Sequence, residues 1–218
     1  MTDRQLKLPR LYPILDASLF RQTSELLAYV QTLLEAGITL IQYRNKEDGA
    51  GKMLRQAQSL FALAPKGVCW IVNDRADLCL AAGFSGVHVG QDDLSVAGAR
   101  KVVGAERLIG ISTHTMEQLR QALATDADYL AIGPVFATRS KQDPDPLVGL
   151  EGVRAASKLA DRPLVAIGGI TRENARSVLD AGADSVAVIS DLVEPPESGG
   201  HWLESTRKRV EAFLRVLG

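Results

Sequence analysis

The sequence predicts a (β/α)8 barrel, and two observations carry that expectation. Eight short apolar runs recur along the 218 residues, and segments with helical spacing fill the gaps between them. Most runs are apolar nearly throughout rather than alternating, the pattern of strands buried on both faces of a parallel sheet. A doubly wound sheet would normally use fewer units. The chain is slightly shorter than the ~250 residues usual for a TIM barrel. Composition nevertheless shows no break, so one barrel over residues 1–218 is expected.

The runs are LYPIL (11–15), TLIQY (39–43), VCWIV (68–72), GVHV (86–89), LIGIS (108–112), YLAIG (129–133), LVAIG (164–168) and SVAVI (185–189). Residues 24–37 have apolar positions at helical spacing and close on Gly37, a C-terminal signal. Residues 114–127 read likewise. Residues 171–183 read as a helix with Thr171 as N-cap and Glu173 behind it, and 202–217 as the last helix.

Hydrophobic residues are 46% of the chain and aromatics only 5%, so the core must be aliphatic. A formal net charge of -1 gives no support to a nucleic-acid binder. Cys69 and Cys79 lack a CxxC pattern and nearby histidines, and read as reduced core thiols. The segment MTDRQLKLPR has no apolar signal region, and no run approaches the ~20 apolar residues that span a bilayer. A cytoplasmic protein without membrane partners is expected, and self-association into a homo-oligomer stays open.

Active sites of such barrels lie at the C-terminal ends of the strands. There the sequence places Arg44, Asn45 and Lys46 after the second run, Asn73 and Asp74 after the third, and Gln91, Asp92 and Asp93 after the fourth. Ser112 and His114 end the fifth, Gly168 and Gly169 the seventh, and Ser190 and Asp191 the eighth. Asp74 and Asp93 follow neighbouring strands and can converge. Two carboxylates without a cation repel, and oxygen ligands without Cys or His suit Mg²⁺. Each aspartate also reads as a helix N-cap. Arg44, Lys46 and Lys141 would form a clamp for a polyanion. Gly169, after the seventh strand, would let backbone approach a monophosphate; a plain tight turn reads equally well there. Two anion sites follow, one suited to a diphosphate and one to a monophosphate.

The motifs QYRNK (42–46), VND (72–74), HVGQDD (88–93), GIS.HT (110–115), GPVFATRSK (133–141), AIGGI (166–170) and VIS (188–190) resemble those of thiamine-phosphate synthases, in that family's order. The resemblance implies a Mg²⁺-dependent transferase joining 4-amino-2-methyl-5-(diphosphooxymethyl)pyrimidine to 4-methyl-5-(2-phosphooxyethyl)thiazole. The products would be thiamine phosphate and pyrophosphate. It implies a pyrimidine diphosphate site of Gln42, Tyr43, Arg44, Asn45, Lys46, Asn73, Ser112 and Lys141. Arg44, Lys46, Ser112 and Lys141 would be catalytic, the three cations by neutralising the leaving group, and Asp74 and Asp93 would hold Mg²⁺. Thr138, Arg139, Ser140, Gly169, Ile189 and Ser190 would hold the thiazole phosphate. The family commonly shows Thr-x-Thr-Lys where this chain has Thr138-Arg139-Ser140-Lys141; the serine keeps a hydroxyl, and Arg139 is the departure. A thiazole phosphate tautomerase and a non-catalytic thiazole phosphate sensor are the alternatives, disfavoured by Asp74, Asp93, Lys46 and Lys141 together. The stretch 137–149 is long for a βα connection and is expected to act as a lid.

Overall fold

The computed structural model describes residues 6–138, 146–194, 196 and 201–218. Its strands are β1 (Leu11–Asp16), β2 (Leu40–Arg44), β3 (Cys69–Asn73), β4 (Gly86–Val89), β5 (Leu108–Thr113), β6 (Tyr129–Ile132), β7 (Leu164–Ile167) and β8 (Ser185–Val188). They form a closed barrel in chain order, every pair parallel, with β1 and β8 adjoining. The helices between them are α1 (Thr23–Glu35), α2 (Ala50–Leu63), α3 (Ala76–Ala82), α4 (Val96–Val103), α5 (Met116–Leu123), α6 (Gly149–Leu159) and α7 (Ala175–Asp180), with α8 (Trp202–Leu217) last. The eight expected strands differ from those observed by at most one residue at either end.

Alternation along each strand sorts side chains into two layers. Ile41, Tyr43, Val72, Val87, Ile109, Leu130, Leu164 and Val186 point outward and pack with the helices. Tyr12, Ile14, Leu40, Ile71, Tyr129, Ala131, Val165 and Ala187 fill the interior. Each such aliphatic side chain contributes about 1.5–3 kcal/mol when fully buried, so these layers, not the short helices alone, hold the barrel. Gly110 makes room inside: a Cβ there would lie 2.1 Å from the Tyr129 ring.

The two ends of the barrel differ. At the strand starts, carboxylates serve the backbone: Asp128 accepts from the Ile109 N–H at 2.7 Å and Asp184 from the Leu164 N–H at 2.8 Å. Polar groups not committed to the ladder gather at the other end. Cys69 and Cys79 are free thiols, as expected. Among the described residues no helix is long and apolar enough to cross a membrane.

Helix starts depart from expectation in three places. Arg75 and Ser95, not Asp74 and Asp93, occupy the N-cap positions of α3 and α4, and Ser95 accepts from the Gly98 N–H. The sequence cannot separate a capping aspartate from one a residue or two upstream. Thr171 does not cap α7 either. A turn over 171–174 intervenes, closed by Asn174, whose side-chain oxygen accepts the Thr171 N–H at 2.8 Å.

Candidate active site

β3 ends in an abrupt backbone turn. Asp74 has φ +64°, the only positive φ of a non-glycine among the described residues, and its N–H donates to the His88 carbonyl at 2.8 Å. Asp and Asn tolerate this left-handed conformation better than other side chains. On the neighbouring strand end, Asp93 folds back so that its carboxylate accepts the Gly90 N–H at 2.8 Å. The two carboxyls come within hydrogen-bonding reach of one another. Burial, then the hydrogen bond and charge of Asp93, push the Asp74 carboxyl up to about 6, against an opposing pull from Lys46. Lys46 Nζ lies 3.2 Å from Asp74. Two hard oxygen donors held against their repulsion, with one ammonium beside them, fit a divalent cation such as Mg²⁺. No cluster of three or more His, Cys, Asp or Glu of metal-binding geometry exists among the described residues, so water and ligand oxygens would complete the shell.

Arg44 sits at the inward end of β2, in register with Asp16 of β1, and forms an ion pair with it. Asp16 is 6% exposed and also accepts from the Ser18 N–H and hydroxyl. Sequence reasoning missed Asp16, although the first apolar run ends in this carboxylate as the third ends in Asp74. Inward of Arg44, Gln42 donates to the Tyr12 hydroxyl at 3.0 Å. Ser112, next to last in β5, has its hydroxyl 2.8 Å from His88 Nε2, and Gln91 donates to its carbonyl at 2.6 Å. Asn73 is half-buried, in register with His88.

Tyr43 and Asn45 do not join this group. The Tyr43 ring is fully buried in the layer outside the barrel, its hydroxyl donating to Gln56 of α2 at 2.6 Å. Asn45 donates toward Gln56 and the Tyr43 hydroxyl, and its oxygen accepts the Glu47 and Asp48 N–H groups. Strand alternation turns the Tyr43 side chain outward, and the Asn45 side chain builds the turn into α2.

The opposite rim is formed after β6, β7 and β8. The Val135 and Phe136 N–H groups donate to the Ile167 and Gly168 carbonyls, both at 2.9 Å, which lays residues 135–138 along the end of β7. Gly169, with φ +62°, touches this segment: a Cβ would lie 2.4 Å from the Ala137 carbonyl oxygen. A side chain at 169 would therefore displace the loop itself, so Gly169→Val cannot act only by blocking a ligand. Thr138 follows directly, half-buried. Ile189 and Ser190 lie just past β8, whose Ala187 pairs with Ile167. The Arg172 backbone and guanidinium donate to Asp191 and tie the last two loops together. Arg139, Ser140 and Lys141, with most of the expected lid, lie outside the described residues. His114 Nδ1 bonds the Gly133 carbonyl at 2.6 Å and supports the start of that segment.

The arrangement defines the class of protein: a (β/α)8 barrel enzyme whose strand-end face sets an acidic and basic cluster opposite a glycine-lined rim. A family model described as thiamine monophosphate synthase matches residues 11–192. A thiamine-phosphate synthase of Koribacter versatilis (strain Ellin345) is 54% identical over 215 residues, 97% of each chain. Another, of Chloroflexus aurantiacus, is 44% identical over 84% of this chain and 85% of its own. A thiamine phosphate pyrophosphorylase from Pyrococcus furiosus superposes with a TM-score of 0.80 at 32% identity over 95% of both chains. The chain belongs to the thiamine monophosphate synthase family.

Proposed function

We propose that this chain is a thiamine-phosphate synthase, a transferase joining a pyrimidine methyl diphosphate to a thiazole monophosphate with release of pyrophosphate. The observation that supports it best is the pair Asp74 and Asp93 beside Lys46, with Arg44 and Ser112 on the same face. A diphosphate leaving group needs that combination of cation site and fixed donors. The rim of Thr138, Gly169, Ile189 and Ser190 would take the thiazole phosphate, with Arg139 and Ser140 completing it.

The chemistry asks for charge stabilisation and orientation rather than a nucleophile. The bond between the pyrimidine methylene carbon and the diphosphate oxygen breaks, and its electron pair leaves with pyrophosphate. The thiazole nitrogen lone pair forms the new carbon–nitrogen bond. No proton moves in that exchange, so the reaction requires neither a protein nucleophile nor a base. Asp74 and Asp93 would hold Mg²⁺, which supplies positive charge to the leaving oxygens when bound. Arg44, Lys46 and Lys141 would share that charge, and the Ser112 hydroxyl would donate to it. The ion pair with Asp16 on the neighbouring strand end holds the Arg44 guanidinium, so less ordering remains to be done on binding. Gln42 and Asn73 would face the pyrimidine ring. The free thiols Cys69 and Cys79 suit a reducing, cytoplasmic setting. Separate titrations test the two-site reading: Lys141→Ala should weaken pyrimidine diphosphate binding and leave thiazole phosphate binding nearly unchanged. Equal losses for both ligands would remove it.

A further inference from the structure

A chain of buried polar groups crosses the barrel floor beneath the site. Gln42 Nε2 donates to the Tyr12 hydroxyl at 3.0 Å, and that hydroxyl lies 3.0 Å from the Tyr129 hydroxyl. Tyr129 in turn lies 3.1 Å from His88 Nδ1, and His88 Nε2 lies 2.8 Å from Ser112 Oγ. Tyr12 and Tyr129 are each 1% exposed and His88 is 8% exposed, so water does not intervene freely. The His88 ring also stacks on Tyr129, with centroids 5.5 Å apart.

Each hydroxyl has one proton, and among the described residues the buried Tyr12 and Tyr129 hydroxyls have no acceptors besides one another and His88, so the direction of the whole chain follows from its first donor. The Tyr12 oxygen accepts from Gln42, and the Tyr12 proton goes to Tyr129. The Tyr129 proton then goes to His88 Nδ1. A neutral imidazole with Nδ1 as acceptor carries its hydrogen on Nε2 and donates to Ser112. The Ser112 oxygen is thereby occupied as an acceptor, and its own proton is turned away from His88, toward the mouth. With Nδ1 accepting from Tyr129 and Nε2 donating to Ser112, the ring carries a single hydrogen and is neutral. An inverted Gln42 amide would reverse every proton in the chain and point the Ser112 hydroxyl back at His88. The direction of the relay thus links the two sides of the mouth.

Resting on the thiamine-phosphate synthase reading, we propose that His88 is a positioning residue: held as its Nε2–H tautomer by Tyr12 and Tyr129, it aims the Ser112 hydroxyl proton at the departing diphosphate. It touches neither substrate and acts through Ser112.

The first test needs no substrate. Long-range ¹H–¹⁵N spectra of the ligand-free wild type at pH 7.5 should show His88 with Nε2 protonated and Nδ1 bare, the signal being assigned by its loss in His88→Gln. Tyr129→Phe should abolish the single tautomer. An Nδ1–H tautomer or an imidazolium in the wild type overturns the proposal, whether or not the synthase reading holds. The second test is turnover. A Gln amide can place an N–H near the position of Nε2, whereas the shorter Asn reproduces only the Nδ1 side. His88→Gln should therefore stay within about threefold of wild type, while His88→Asn loses about tenfold in kcat with KM changed less, the size of one misdirected hydrogen bond. In a Ser112→Ala background His88→Asn should cost nothing further. A full additional loss there, or wild-type turnover of His88→Asn, would refute the role. If His88→Asn fails to fold, Tyr129→Phe replaces it in the same comparison.

Discussion

Replacing Asp74 with Asn should stabilise the metal-free protein near neutral pH while abolishing turnover. The Asp74 carboxyl keeps its proton up to about 6 in the folded chain, against an ordinary 3.8. The folded state therefore binds that proton more tightly than the unfolded chain does. Ionising the group costs folding free energy as pH rises from about 4 to about 6, and the cost persists above that range. At about 1.4 kcal/mol for each tenfold, the gap corresponds to ~3 kcal/mol. Asn keeps the shape and tolerates φ +64°, and the gap already includes the opposing pull of Lys46. A gain of ~2–3 kcal/mol is expected, or about 4–12 °C in Tm for a chain of this size. Thermal melts in EDTA at pH 7.5 and at pH 4 measure it. The Asn variant should melt higher at pH 7.5 and match the wild type at pH 4. Adding Mg²⁺ at pH 7.5 should raise the wild-type Tm and narrow the difference. A variant less stable than wild type at pH 7.5 would show that the carboxylate pair is not strained, and the argument for a cation there would fail.

Three further outcomes follow from the same geometry. Asp16→Asn should lower kcat/KM for the pyrimidine diphosphate by about tenfold, because the Arg44 guanidinium loses the charged half of its anchor; unchanged kinetics would show that Arg44 needs no anchor. Gly110→Ala should cost at least about 3 kcal/mol, since its methyl overlaps the Tyr129 ring inside a closed barrel; a denaturant midpoint near wild type would contradict this. Gly169→Ala should weaken thiazole phosphate binding through displacement of residues 135–138, read as faster proteolysis of that segment in the ligand-free protein, and an unaltered cleavage rate would separate Gly169 from the loop.

The barrel was legible because strands buried on both faces must be apolar throughout, and eight such runs leave little topological choice. Asp74 and Asp93 were legible as a pair because adjacent strand ends are adjacent in space. That neither caps a helix was not legible, since N-cap assignment turns on one residue and on a backbone reversal at Asp74 that local composition does not announce. Within QYRNK the outward packing of the Tyr43 and Asn45 side chains was not read from the motif. The alternation of a strand sends Gln42 and Arg44 inward and Tyr43 outward. Asp16 and His88 were missed for a shared reason: each is a single polar residue in an apolar run, at a register position facing inward. That register, compared across β1 to β5, is the signal that would have found them. The turn after β7 was legible from its glycines, but the close approach of Gly169 to Ala137 joins residues 32 apart and has no local trace.

Turnover with both substrates tests the central claim most directly. The purified protein would be mixed with the pyrimidine methyl diphosphate, the thiazole monophosphate and Mg²⁺, and both products quantified over time. The account predicts thiamine phosphate and pyrophosphate in equal amounts, neither formed when Mg²⁺ or either substrate is withheld. Recovery of both substrates unchanged, or conversion of the thiazole phosphate alone, would contradict it.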